Sequence, residues 1–251
     1  MTEPLVTRGP RATSVPATQS IRTYYRMLLR GQLTRGRLVG LGVLGAVSIL
    51  LAAVSRGASS GESAAVELLA TYSIGLFIPL ACLILATPML GNLVEDRLLV
   101  YLWLKPVPRW HLAVAAYAAV VAVLLPVVAI PITLSVAITG FGDLVVPAVL
   151  ASVLGVLAYG AVYLFLGIRF SWGLWLGLLY LVLWENVLAR LSNGMARLSI
   201  RSYLVTILER GTRIEIPLAD RSGTLAIVVP LLVAVVMVVL TAVSLSRRDV
   251  D

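Results

Sequence analysis

Residues 112–138 read LAVAAYAAVVAVLLPVVAIPITLSVAI, without one charged side chain. A membrane-spanning helix needs about 20 predominantly apolar residues. This run exceeds one crossing, so it predicts a helix that tilts or bends, with Pro126 and Pro131 as the places to bend. Comparable runs lie on both sides of it, at 38–54, 68–90, 144–167, 172–188 and 224–245. The second run contains Pro79 and Pro88. The third and fourth are joined by the turn sequence Gly140-Phe141-Gly142-Asp143, and the fourth and fifth by Arg169-Phe170-Ser171. The pattern predicts an all-α integral membrane protein with six transmembrane helices.

Composition agrees. The 251 residues are 60% hydrophobic and 13% charged, with a mean hydropathy of +0.99. Soluble domains have roughly 45–50% apolar and about 25% charged residues, so lipid is the solvent these surfaces require. Six spans leave enough chain for a tail and loops but not for a second folded domain. Residues 1–20, polar and containing Pro10 and Pro16, read as a disordered cytoplasmic tail, and 21–251 as a single six-helix transmembrane domain.

The net charge of +8 is carried almost wholly by arginine, Lys105 being the one lysine. In a soluble protein that balance would suggest nucleic acid, but here the charges flank apolar runs, as topology determinants do. Arg22, Arg26 and Arg30 recur every fourth residue, with Ile21, Tyr25, Leu28 and Leu29 on another face. This spacing predicts a basic amphipathic helix lying on membrane lipids just before the first span; a plain extension of that span is the alternative. An even number of spans puts both termini on one side. Eleven membrane-proximal basic residues there, against seven opposite, place both ends in the cytoplasm, most simply at the plasma (inner) membrane.

Much chemistry is excluded. No glycine loop precedes Lys105 and no hydroxyl residue follows it, so the chain has no phosphate-binding loop for ATP. His111 is the one histidine and Cys82 the one cysteine, which removes two-histidine metal sites, cysteine clusters and intrachain disulfides. No Gly-x-Ser-x-Gly elbow accompanies His111. Glu67 and Glu185 are expected near the outer ends of spans, and no acidic residue is expected at a span centre. That weighs against an ion-coupled carrier, while missing acid–base pairs weigh against a membrane-embedded lipid- or peptide-modifying enzyme. Glu185, with Asn186 beside it, is the better candidate for a functional polar group in a pathway or outer gate. Gly173 and Gly177, and Ala151 with Gly155, form small-residue faces suited to internal packing or dimerisation. Ile200, Leu204, Ile207 and Leu208 share a face, predicting a short helix at the outer interface.

Between the second and third runs, residues 91–110 read GNLVEDRLLVYLWLKPVPRW. Glu95 and Asp96 suit a helix start, Leu98, Leu99, Leu102 and Trp103 fall at helical spacing, and Pro106 and Pro108 end the helix. The result is a short amphipathic helix on the cytoplasmic surface, a partly apolar handle for another protein.

Glu95-Asp96-Arg97, then Leu98-Leu99, then Pro106-Val107-Pro108-Arg109-Trp110 resembles the loop of the type-2, exporter-type integral membrane permeases of ABC transporters. Arg97-Leu98 stands where that family usually has Gly-Thr. The stretch from Trp184-Glu185 to Leu198-Ser199-Ile200-Arg201 is similar to the family's region between spans five and six, and Ser246-Arg247-Arg248-Asp249 to its basic ending. The resemblance implies that 91–110 carries a coupling helix docking on a separate ABC ATPase subunit through Glu95, Asp96, Arg97, Leu98, Leu99, Leu102 and Trp103. It implies a second permease chain, identical or related, and ATP with Mg held by the ATPase partner. The cargo would be apolar or amphipathic. On this reading the chain itself is not an enzyme and binds no nucleic acid, metal or cofactor of its own.

Overall fold

The computed structural model describes residues 17–32, 34–56, 61–95, 110–188, 198–212 and 222–247, and every regular element among them is helical. Helix α1 (Ala17–Gln32) is followed by Thr34, extended at φ −77° and ψ 136°, and then by α2 (Arg35–Ser55). Next come α3 (Gly61–Leu68), a π-helical stretch π1 (Leu69–Phe77) and α4 (Ile78–Glu95), joined end to end. Then follow α5 (Trp110–Thr139) and α6 (Val145–Arg169), separated by a turn in which Gly140 takes φ +84°, a conformation few side chains tolerate. Helix α7 (Gly173–Leu179) runs into a second π stretch, π2 (Tyr180–Leu188), and the chain closes with α8 (Ile200–Thr212) and α9 (Gly223–Arg247).

Five helical rods are long and apolar enough to cross a membrane: Arg35–Ser55, Ser63–Met89, Trp110–Thr139, Gly142–Arg169 and Gly223–Ser246. The run at 172–188 forms a shorter apolar helix, and its residues up to Glu185 fall below that length. The second and fourth rods are the most deeply packed, while α2 and α9 turn most of their surface outwards. Val39, Val43 and Val54 on α2 and Leu232, Val235 and Val239 on α9 are exposed. Such side chains are comfortable only in a hydrocarbon solvent.

Close helix approaches rest on small residues. A Cβ built on Gly167 would lie 2.0 Å from the Thr87 carbonyl oxygen, so α4 and α6 meet backbone to backbone. A Cβ on Gly45 would lie 2.8 Å from Pro131 Cγ, fitting α2 against the proline-bearing turn of α5. Gly45 meets Pro131 and Ser48 meets Ser135, so the two helices run parallel. Trp110 at the start of α5 and Ser246 near the end of α9 line one apolar groove of about 510 Å³. The starts of α2 and α5 and the end of α9 therefore share one end of the bundle.

Helix α1 is amphipathic as its arginine spacing predicts, but its apolar side faces protein. Leu28 is buried, and Tyr24, Tyr25 and Leu29 pack against the core, while Arg22 and Arg26 are exposed. The helix begins at Ala17, inside the segment expected to be disordered. The side chain of Arg30 lies outside the described residues.

Candidate functional site: a buried polar centre

The site is built at the far end of the short apolar helix formed by α7 and π2. Helix α7 lies flush on α6: a Cβ on Gly173 would sit 2.7 Å from the Leu166 carbonyl oxygen. One on Gly177 would sit 2.3 Å from Leu83 Cδ1 and 3.0 Å from the Tyr163 ring. The Gly-x-x-x-Gly pair thus packs within the chain. Ala151 and Gly155 do the same, Gly155 meeting Ile78 and Leu204. Above Gly177 the Tyr180 ring meets Tyr163 edge-on at 6.4 Å between centroids, and Tyr163 stacks with Tyr159 at 6.1 Å.

At the end of this aromatic ladder Glu185 is completely buried. The Tyr180 hydroxyl donates to its Oε1 at 2.8 Å and the Ile200 backbone N–H to the same oxygen at 3.2 Å. The Arg201 backbone N–H donates to Oε2 at 3.3 Å, and the Ser199 hydroxyl makes a short bond to that oxygen. Four donors fill the acceptor capacity of one carboxylate. Two of them are the first N–H groups of α8, which have no partner inside their own helix and carry its positive dipole end. Ser199 completes the cap, its Oγ accepting the Ser202 N–H at 3.3 Å, and the Ser202 hydroxyl donates back to the Ser199 carbonyl at 2.8 Å. A buried negative charge is costly unless matched in this way.

The depth of this cap follows from packing. Leu204 of α8 meets Gly155 of α6, and Gly211 of α8 meets Pro147. Rising residue numbers in one helix accompany falling numbers in the other, so the helices are antiparallel. At about 1.5 Å per residue, the Leu204–Gly155 contact lies roughly 15 Å inside α6 from Val145. The amino end of α8 and Glu185 therefore lie level with the middle of the fourth rod, not near its end. Helix α8 is correspondingly no surface helix: Ile200 to Thr206 and Leu208 are all buried, while Arg210 and Gly211 emerge at its far end.

Arg201, the next residue in, is also buried and extends toward π1. Its Nη2 donates to the Ala70 carbonyl oxygen at 3.3 Å, and its guanidinium carbon would lie 3.0 Å from a Cβ on Gly75. Gly75 thus leaves the space the guanidinium occupies. Turns of π-helix loosen the regular ladder and recur at functional sites. Both π stretches among the described residues touch α8, π1 through Arg201 and π2 through Glu185. On the other side of π1, Ser48 Oγ lies 3.4 Å from Ser73 Oγ and 3.0 Å from Ser135 Oγ. The Tyr72 hydroxyl donates to the Leu44 carbonyl at 2.8 Å. These hydroxyls pin α2, π1 and α5 together.

Among the residues singled out from sequence, Glu185 is central, but at mid-height rather than near an outer end. Its partners are hydroxyls and a helix terminus. Asn186 follows it in π2, and its side chain lies outside the described residues. Asp96, Arg97, Leu98, Leu99, Leu102 and Trp103 lie outside the described residues, as does the helix start expected at Glu95 and Asp96; Glu95 is the last described residue of α4. His111 is buried, its ring edge-on to Trp110 at 4.1 Å. No cluster of three metal-ligating side chains occurs among the described residues. Sequence reasoning passed over Tyr159, Tyr163, Tyr180, the three serines, and the pairing of Ser199 with Glu185. One local signal existed: Ser199 stands immediately before the periodic residues Ile200, Leu204, Ile207 and Leu208, as an N-cap would.

No protein-family model matches the chain, and no curated protein matches it.

Proposed function

We propose that the chain is the membrane-spanning subunit of an ATP-driven exporter of the ABC type, working as a pair and powered by a separate ATPase that holds ATP and Mg. The reading rests on the resemblance at 91–110, and one feature of the fold supports it mechanically. Helix α4, which leads into that segment, makes the backbone-to-backbone contact with α6 at Thr87 and Gly167. A push on the segment would reach the bundle centre through two rigid rods, because a contact without intervening side chains has little compliance. Helix α6 in turn carries α8 and its polar cap.

In this reading the end of the bundle bearing α1, Trp110 and Ser246 faces the cytoplasm of a plasma membrane, with Arg22 and Arg26 toward anionic lipid. The run at 172–188 and α8 jointly make the remaining crossing, giving six in all, and an apolar or amphipathic cargo moves outward between paired chains. Affinity purification of the full chain in mild detergent, with mass spectrometry of what stays bound, tests this. Recovery of an ABC ATPase supports it, and labelling of Lys105 only from outside intact cells refutes it.

A second reading, an ion-coupled carrier, gains one observation: Glu185 places a carboxylate at mid-height, where such carriers hold ionisable groups. Its four donors fit an anchoring role better. Uptake into ATP-free proteoliposomes driven only by an ion gradient would favour the carrier.

A further inference from the structure

We propose that the groove between the start of α5 and the end of α9 is a lipid site. It seats one acyl chain of an anionic phospholipid, with the headgroup at the end of the bundle that bears Trp110 and Arg247. The proposal needs only that the bundle crosses a membrane and is independent of what drives it. Its first support is the shape of the groove, about 510 Å³ in volume and so within the roughly 300–1,000 Å³ of small-molecule sites. On α9, Val238, Ala242 and Ser246 stand four residues apart, with Val239 and Val243 as a second row beside them. On α5, Trp110 and Val114 are again four apart. Residues at that spacing line up along a helix, so the groove runs along both rods, in the direction of lipid tails. From Val238 to Ser246 it measures about 12 Å at 1.5 Å per residue. One leaflet holds about 15 Å of hydrocarbon, half of the bilayer core. A crossing helix of a second copy would instead follow α9 for most of its length, yet Leu232 and Val235 are not among the walls.

The second support is the nature of the walls. Most of them are valine, which keeps one dominant rotamer in a helix and is too short to fold across the gap. Ala242, between the two rows, contributes a single methyl. The concavity is therefore permanent, and hydrocarbon is what fills an apolar concavity on a lipid-facing surface. Trp110 is held as well, its ring edge-on to the buried His111 ring at 4.1 Å. It is half exposed, and an indole joins an apolar body to one N–H donor, which suits the boundary between tails and headgroups. The exposed valines and leucines of α9 continue from the groove without a break, Val235, Val236, Val239 and Leu240 among them, so a tail enters sideways from the surrounding lipid.

The third support is charge. Arg247, the last residue of α9, comes four residues after Val243 and eight after Val239, so in the register of the helix it continues that row past the mouth of the groove. Arg22 and Arg26, exposed on α1, belong to the same end of the bundle. Basic residues at a membrane surface attract anionic headgroups. Apolar walls one leaflet deep, an aromatic boundary residue and a basic rim are the complement of one anionic phospholipid.

Native mass spectrometry of the full chain, released from nanodiscs of equal phosphatidylglycerol and phosphatidylcholine, tests the site. The parent chain should retain phosphatidylglycerol at several times the level of phosphatidylcholine. Val243→Phe, which puts a ring into the groove from an exposed position, should lower that retention about tenfold. Val235→Phe, exposed on α9 but outside the groove, should leave it unchanged. Arg247→Gln should abolish the preference for phosphatidylglycerol and leave phosphatidylcholine where it was. Should Val243→Phe fail to fold, Val239→Phe, also exposed and in the same row, takes its place. Equal retention of the two lipids by the parent chain refutes the proposal. Undiminished retention in the groove variant, or an equal loss in Val235→Phe, also refutes it. A change from paired to single chains in the groove variant, with lipid retention intact, would give the groove to a second copy and overturn the lipid site.

Discussion

Replacing Gly167 by alanine should be the most damaging single-methyl change in the bundle. The added Cβ would stand 2.0 Å from the Thr87 carbonyl oxygen, 2.8 Å from its carbon and 2.9 Å from its Cα. Ordinary contact begins at 3.4 Å, so the methyl is about 1.4 Å short of room against its nearest neighbour. That neighbour is backbone and cannot rotate away. Either α4 moves off α6 or both helices bend, and every side chain packed along their seam loses contact. Overpacking of a close-packed interior costs about 1–3 kcal/mol, and this site belongs at the top of that range. Helix propensity works in the opposite direction, by about 1 kcal/mol for glycine to alanine, so the net loss should be near 2 kcal/mol. Gly177→Ala supplies an internal control. Its Cβ would lie 2.3 Å from Leu83 Cδ1, the far end of a flexible side chain, and should cost less than half as much. Gly36→Ala and Gly40→Ala meet nothing within 4 Å and should be neutral or slightly stabilising. Thermal unfolding of the four purified variants in one detergent, followed by tryptophan fluorescence, gives the order. Gly167→Ala as stable as the parent, or less harmful than Gly177→Ala, would show that α4 and α6 do not approach as described.

Other consequences are open to measurement. Glu185→Leu strips the partners from Tyr180, Ser199 and two N–H groups of α8 at once and should lower stability by several kcal/mol, since each orphaned buried group costs about 1–3. Glu185→Gln, which retains one acceptor oxygen, should lose clearly less in the same unfolding assay. Ser48→Ala removes the hydroxyl shared by Ser73 and Ser135; at about 0.6 kcal/mol per interhelical bond the cost should be near 1 kcal/mol, and Ser73→Ala in that background should add almost nothing. Cys82 is fully buried, so a water-soluble maleimide should leave the folded chain unmodified and label it stoichiometrically after denaturation.

Hydropathy made most of the architecture readable because the solvent imposes it. The run at 112–138 became Trp110–Thr139, and the run at 224–245 became Gly223–Arg247, each within a turn at either end. Length and absence of charge are local properties, and a lipid-facing helix needs little else. The small residues at 151, 155, 173 and 177 were also visible, but whether they face a second chain or the same one depends on where Leu83, Tyr163, Ile78 and Leu204 arrive in space. The π stretches left no trace in composition, because a change of winding does not alter which residues are apolar.

The polar centre was the least legible part, for a reason that generalises to buried half-helices. From Ile200 to Thr212 the sequence alternates apolar residues with Arg201, Ser202, Thr206, Glu209 and Arg210, a pattern that normally marks an amphipathic helix at an interface. Here the polar residues on the first turns face protein: Arg201 reaches Ala70, the Ser202 hydroxyl donates to the carbonyl of the cap residue Ser199, and the Thr206 hydroxyl donates to the Ser202 carbonyl at 2.9 Å. Inside a membrane protein, polarity on a helix face reports only that partners exist, and they can be lipid headgroups, water or other helices. Glu185 posed the same ambiguity. A carboxylate near the end of an apolar run lies at the membrane surface if the helix crosses fully. It lies at mid-depth if the helix stops halfway and another begins at that level. The second arrangement is affordable only when the incoming helix presents its free N–H groups to the acid, and Ser199, Ile200 and Arg201 do so. The acid and the helix start are thus each the condition for the other's burial.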